Sequence, residues 1–172
     1  EALSTTSMFL KTIETQTVQL MNKGKRLNEI IHTVKIPDEL IKLPWLRPVY
    51  DDPEFLIRMI WRRYGGWWDG EYDRLLPAKR NEESKVWIEL VGGIEIVIDK
   101  ALEMSSQGKD KIAAHLIETA FYADEANEHV HKARKVIYAN FSMKQDSSMA
   151  RNILNHASLA STQNKRDLAE KN

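Results

Sequence analysis

The sequence predicts an all-α fold, a helical bundle built from antiparallel helix hairpins. Three observations carry that expectation. Apolar residues recur three and four apart along most of the chain, the spacing of one helix face. Glycines and short polar links divide these runs into helix-sized lengths. No segment alternates apolar and polar residues as a half-buried strand does. GGIEIVIDKA, at 92–101, comes closest through its β-branched residues, but it continues into ALEM at helical spacing and reads as helix.

A first helix over about 4–23 carries Phe9, Ile13, Leu20 and Met21 on one face. Gly24 closes it, where a left-handed residue is cheap. A short second helix follows over RLNEIIHTV, at 26–34. The stretch 36–53 then holds four of the five prolines, which breaks regular structure apart from one helical turn at PDELIK, 37–42. Asp52-Pro53-Glu54 starts the next helix: a capping carboxylate, a proline at the first helical position and an acid near the positive helix end. That helix runs to Gly65-Gly66, with Phe55, Met59 and Arg62/Arg63 in one row and Leu56, Ile60 and Tyr64 in the next. WDGEYDRLLPA, at 68–78, is a turn-rich connection, with Asp69-Gly70 as the turn.

From about 82 the pattern is regular. Helices are expected over 82–93, 94–108, 109–124, 126–141 and 147–161. Ile112, Leu116 and Ala120 mark the inward row of one, and Val130, Ala133 and Ile137 that of the next. The links are short, so neighbours should pack antiparallel. Ala113, Ala120 and Ala133 fall where two helices of a hairpin would cross, and Gly108 falls at a turn. The hairpins are therefore tetratricopeptide-like. A period near 34 is traceable barely one and a half times, whereas a groove-forming array needs about three repeats. The whole reads as one domain over 4–162, with a polar, frayed tail over 163–172.

Composition narrows the function. The 172 residues are 42% apolar and 29% charged, an ordinary soluble composition long enough to bury a core. Lysine plus arginine number 25, as do aspartate plus glutamate, so no excess positive charge draws the chain to nucleic acid or acidic membranes. There is no cysteine for a disulfide or a thiolate metal site, and no apolar run long enough for a transmembrane segment. The chain opens on Glu1 without a basic, apolar leader, and reads as a processed or excised piece of a longer protein; its compartment stays open.

The chemical candidates are sparse. His32, His115, His129, His131 and His156 are read as surface residues. His129 and His131 stand two apart, and on a helix such residues point about 200° apart, so they cannot grip one ion. No HExxH, GxSxG, GxGxxG or P-loop pattern occurs. Asp51-Asp52 reads as a turn and a cap, and Asp124 and Glu125 as solvated or capping residues at a helix junction. No catalytic constellation and no metal-binding set is complete within the chain. WRRYGGWWDG, at 61–70, is the densest cluster. Arginines among aromatics can form a stacking platform for nucleic acid. The neutral charge, and Trp61 on a face with apolar neighbours, favour a packing corner instead.

RRYGGWWDGEYDRLLPA at 62–78, WIELVGGIEIVIDKA at 87–101 and AAHLIETAFYADEANEHVHKARKV at 113–136 together resemble the alkyl sulfatase dimerisation domain. The stretches 9–40 and 44–55 resemble that domain's opening, so the resemblance covers about 7–160. It implies an all-helical domain that joins two subunits as a homodimer. In the family it follows a metallo-β-lactamase domain of the same polypeptide. That domain binds two zinc ions through a His-x-His-x-Asp-His motif and hydrolyses alkyl sulfate esters; many members add a sterol-carrier-like domain. Many also carry Tyr-Gly-Thr and then His-Asn before the tryptophans, where they can face the substrate. Here the tyrosine is Tyr50, but the histidine position reads Phe55, which points to a divergent branch; the usual DGNP reads DGEY.

The resemblance places Tyr50, Tyr64, Trp67, Trp68 and Asp69 towards an active site or an interface, with no catalytic residue, metal ligand or cofactor in this chain and zinc in the parent enzyme's catalytic domain. Gly65 and Gly66 are expected to let the chain fold back, so that Trp67 and Trp68 cover neighbouring helices. The competing reading is a free-standing tetratricopeptide-like protein-interaction module; a hydrolase complete in these residues would need a constellation the chain does not show.

Overall fold

The computed structural model describes residues 1–169. Its described residues are helices, turns and loops, with no strand. They fall into two compact units, Glu1–Pro77 and Ala78–Asn172, the second described as far as Ala169. None of the described helices is long and apolar enough to cross a membrane.

The first unit holds α1 (Ala2–Asn22), α2 (Leu27–Thr33), α3 (Asp38–Ile41) and α4 (Pro53–Gly65). Gly24 has φ 73° and its N–H donates to the Met21 carbonyl, while the Lys25 N–H reaches back to Leu20. This glycine-terminated end satisfies carbonyls that α1 would otherwise leave bare. The Arg26 N–H donates to Glu29 Oε2 at 3.0 Å, one half of a capping box for α2. α4 starts as its sequence requires: Asp52 Oδ1 accepts the Glu54 N–H at 2.8 Å and Pro53 occupies the first turn. Two short 3-10 turns, Pro44–Leu46 and Tyr72–Arg74, were not expected. Phe9, Ile13, Ile30, Ile31, Leu40, Leu46 and Ile57 form the core. On α4 the buried residue is Ile57, flanked by half-buried Leu56, Ile60 and Trp61, while Met59 and Tyr64 turn outward.

The second unit holds α5 (Arg80–Val91), α6 (Ile94–Ser106), α7 (Asp110–Ala123), α8 (Glu128–Met143) and α9 (Ser148–Thr162). Each of α6 to α9 packs on the helix next to it. Asn127 caps α8 by accepting two N–H groups, and Ser147 caps α9. The core runs through Val97, Ile98, Ala101, Met104, Ala113, Ile117, Ala120, Phe121, Val130, Ala133 and Ile137. Ala113, Ala120 and Ala133 are buried as expected of small residues at a close crossing. The row chosen on α7 is corrected at one residue: Ile112 is half exposed, whereas Ala120 is buried and Leu116 packs half-buried against the core, and Ala113, Ile117 and Phe121 complete the inward face. On α8, Val130, Ala133 and Ile137 are all buried, as read.

Charge also enters this core. Arg134 Nε donates to Glu118 Oε1 at 2.6 Å, with side chains only 7% and 15% exposed. Its Nη1 donates to the Ala157 carbonyl and to Ser161 Oγ, and its plane lies 4.5 Å from the Phe121 ring centre. The histidine assignment also needs one correction. His129 is exposed beside Glu95, but His131 is buried against Phe121. The His131 Nε2–H donates to the Glu125 carbonyl, leaving Nδ1 without a partner among the described residues. The two rings thus leave opposite sides of α8, as their spacing dictates. Of the polar tail, residues 163–169 lie in turns, with Asp167 Oδ1 3.1 Å from His156; residues 170–172 lie outside the described residues.

Candidate functional site: a tryptophan corner after α4

The corner begins where α4 meets α1. A side chain at Gly65 would stand 2.9 Å from the end of Met21, so glycine allows the close approach. Gly66 follows at φ 87°, a conformation L-residues resist, and turns the chain off the helix. Trp61 then closes the loop from behind: its Nε1–H donates to the Trp68 carbonyl at 2.8 Å. Trp68 repeats the device one step on, donating to the Glu71 carbonyl at 2.9 Å. Its ring lies 5.7 Å from that of Tyr72, at a tilted angle.

A polar lattice pins this loop to the start of α2. Arg26 Nη1 donates to Glu71 Oε2 at 2.8 Å, and the guanidinium sits 5.0 Å from the Tyr72 ring centre. The Leu27 N–H donates to the Asp69 carbonyl. Gly70, at φ 92°, lies so close to Arg26 that a Cβ would come within 3.1 Å of its side chain. Asp69 accepts the Glu71 N–H at 3.0 Å and the Arg74 guanidinium at 3.0 Å. The Glu71 N–H, followed by Arg74, holds the Asp69 carboxyl below the usual carboxylate range. Tyr64 is tied elsewhere: its hydroxyl donates to Glu14 of α1 at 2.8 Å, which pushes the phenol's pKa up.

The structure therefore gathers Trp68 and Asp69 into one corner and places Tyr64 at its edge. Trp67 departs from the expectation that it covers neighbouring helices, because it is 77% exposed. Trp68 takes the inward place instead, half-buried with its indole N–H on the Glu71 carbonyl. Tyr50 lies apart, exposed on an open cleft of about 360 Å³ whose apolar walls include Phe9, Leu10, Trp45 and Leu56. Sequence reasoning missed Arg26, Glu71 and Glu14. Arg26 and Glu71 are 45 positions apart, and no local pattern pairs them.

Two outcomes follow. Trp67→Ala should leave stability within about 0.5 kcal/mol, as exposed sites do. Trp68→Ala should cost about 2 kcal/mol through lost burial and a bare Glu71 carbonyl. Hydrogen exchange of the Leu27 and Glu71 amides reads both. The Asp69 contribution has a definite sign. Its folded pKa is lowered, so the stabilisation is complete above the unfolded value of about 3.9 and is lost as pH falls through the lower folded one. The corner should loosen in acid, and Asp69→Asn should flatten that acid limb in a pH series of the same amides.

Against this geometry stand the relatives. The family model described as alkyl sulfatase dimerisation matches residues 26–164. A linear primary-alkylsulfatase of a Pseudomonas strain is 33% identical over 125 residues, 72% of this chain and 24% of that protein. An (R)-specific secondary-alkylsulfatase of Pseudomonas sp. is 32% identical over 117 residues, 67% of this chain and 18% of that protein. The solved stereoselective inverting sec-alkylsulfatase from Pseudomonas sp. superposes with a TM-score of 0.81 at 25% identity, covering 88% of this chain and 24% of that one. The chain thus spans about a quarter or less of the proteins it matches. It belongs to the alkyl sulfatase dimerisation family, whose domains serve subunit association.

Proposed function

We propose that this chain supplies subunit association to an alkyl-sulfatase-like, zinc-dependent hydrolase and helps frame its active site. In this reading the chemistry resides in a metallo-β-lactamase-fold domain of the same polypeptide, and the protein works as a homodimer. The observation that carries the reading is the family match over 26–164, together with alkylsulfatase relatives aligned along two thirds or more of the chain.

The zinc is assigned to that other domain because the residues here do not suit it. Among the described residues no three of His, Cys, Asp or Glu converge as a metal-binding group. His129 Nδ1 lies 3.1 Å from Glu95, and His156 Nε2 lies 3.1 Å from Asp167 and also accepts the Leu168 N–H. Zinc bound in the catalytic domain would supply an activated water or polarise a sulfate oxygen. This chain's contribution is positional. Trp68 and Asp69 stiffen the corner, while exposed Tyr50, Tyr64 and Trp67 offer large side chains towards the catalytic domain, its substrate or the second subunit.

The test is the reading frame around this chain and the activity of the protein it encodes. A His-x-His-x-Asp-His stretch upstream, bound zinc in the purified polypeptide and release of inorganic sulfate from a primary or secondary alkyl sulfate would support the reading. A frame without that stretch, giving a protein that releases no sulfate, would overturn it.

A further inference from the structure

α4 turns one side inward through Ile57 and leaves the opposite side without cover. Phe55, Arg58, Met59, Arg62 and Arg63 stand three and four apart along that outer side. The three arginines are exposed, and Met59 is 56% exposed. Arg58 and Arg62, one turn apart, make no hydrogen bond, ion pair or ring contact among the described residues. Arg26, Arg74, Arg134 and Arg151, by contrast, all bond within the chain. The helix holds no acid from Phe55 to Gly65, and Glu14 of neighbouring α1 is taken by the Tyr64 hydroxyl. Trp67, 77% exposed, follows just past the helix end. Protein interfaces enrich arginine, methionine and tryptophan and deplete lysine and glutamate, the residues of an ordinary solvated face.

We infer that this face of α4 docks an acidic protein surface belonging to the remainder of the same polypeptide. The inference rests on the reading of this chain as one domain of a longer hydrolase, and adds the face and the chemistry of what covers it. Charge selects the occupant. A second copy joined about a two-fold axis through this face would set arginines against the same arginines. A polybasic membrane contact takes about 4–8 clustered cations, and a nucleic-acid contact roughly 6–10. Three arginines on a chain of zero net charge fit neither. Carboxylates answer unpartnered guanidinium groups directly, through paired N–H···O bonds. Mixed arginine and apolar character also suits contact between domains of one polypeptide, which is more polar than an obligate seam between subunits. In the reading above that remainder is large, since this chain spans about a quarter or less of the proteins it matches.

The experiment uses the complete polypeptide that carries this chain. Arg58→Lys and Arg62→Lys keep the charge and supply amines that a carbodiimide joins to carboxylates in contact. Each variant should give a cross-link from the substituted position to an Asp or Glu outside residues 1–172, mapped by mass spectrometry. Mixing isotopically labelled with unlabelled polypeptide should give this product without hybrids, since the contact lies within one polypeptide. Arg58→Glu with Arg62→Glu should speed exchange of the α4 amides about tenfold, with the mass in solution unchanged. If the cross-links are absent, or form only as hybrids, the remainder of the same polypeptide does not cover this face and only this inference falls. Exchange at the wild-type rate in the charge-reversed protein would count against it in the same way. If the reading frame holds no further domain, the longer-hydrolase reading falls with it. Should the charge-reversed protein fail to fold, the cross-links decide alone.

Discussion

Arg134→Met should cost about 3–5 kcal/mol, because it leaves the Glu118 carboxylate buried and uncompensated. Arg134 joins α7, α8 and α9 through polar contacts: Glu118 on one side, the Ala157 carbonyl and Ser161 on the other. Its guanidinium carbon also lies 4.5 Å from the Phe121 ring centre and 5.2 Å from that of Tyr138. Burial, followed by the Glu118 charge, pushes the Tyr138 phenol far above its ordinary range, so this hydroxyl stays neutral at every physiological pH. Arg134→Lys keeps the charge but loses the planar fork, and should fall between wild type and Met. Replacing both partners, as Arg134→Met with Glu118→Leu, should recover much of the loss. Native-state hydrogen exchange of α8 and α9 amides measures all three. An Arg134→Met protein with unchanged protection would show that the pair contributes nothing.

Phe121→Ala should cost a similar amount, about 3–5 kcal/mol, by opening a cavity in the second unit's core. The ring is fully buried and meets Tyr122 and His131 edge-on, with Arg134 above it. Because Phe121 and Arg134 touch, their losses should not add, and a double-mutant cycle should give a coupling of about 0.5–3 kcal/mol. Ile112→Ala, on the outward side of the same helix, should stay within about 0.5 kcal/mol. Equal effects at positions 112 and 121 would mean that the inward face of α7 is misplaced. The readout is protection of α7 amides against exchange.

These residues show what could be read from the chain and why. Helix limits were legible because they are local. Gly24, Gly66 and Gly92 take positive φ where the sequence places stops, and Asp52 caps where Asp-Pro-Glu announces a start. Inward faces were legible only where one row is more apolar than its neighbours. α8 has such a row, whereas α7 carries apolar residues on several rows, so spacing alone chose Ile112 over Ala113. His131 reads as a surface residue in the sequence, because the Phe121 ring and the Glu125 carbonyl that hold it inside come from other elements. The corner was visible as a cluster of aromatics and glycines. Which tryptophan turns inward depends on Arg26, Glu71 and the Trp61 hydrogen bond, and those are long-range contacts. The homology to alkylsulfatases was legible from the YGGWWDG and ADEAN stretches, because they carry residue order that composition and periodicity do not.

The central claim is that this chain associates subunits, and the most direct test is the mass in solution of the complete polypeptide that carries it. Sedimentation equilibrium at micromolar concentration should return twice the mass of one polypeptide. A single-polypeptide mass, unchanged as concentration rises, would contradict the account.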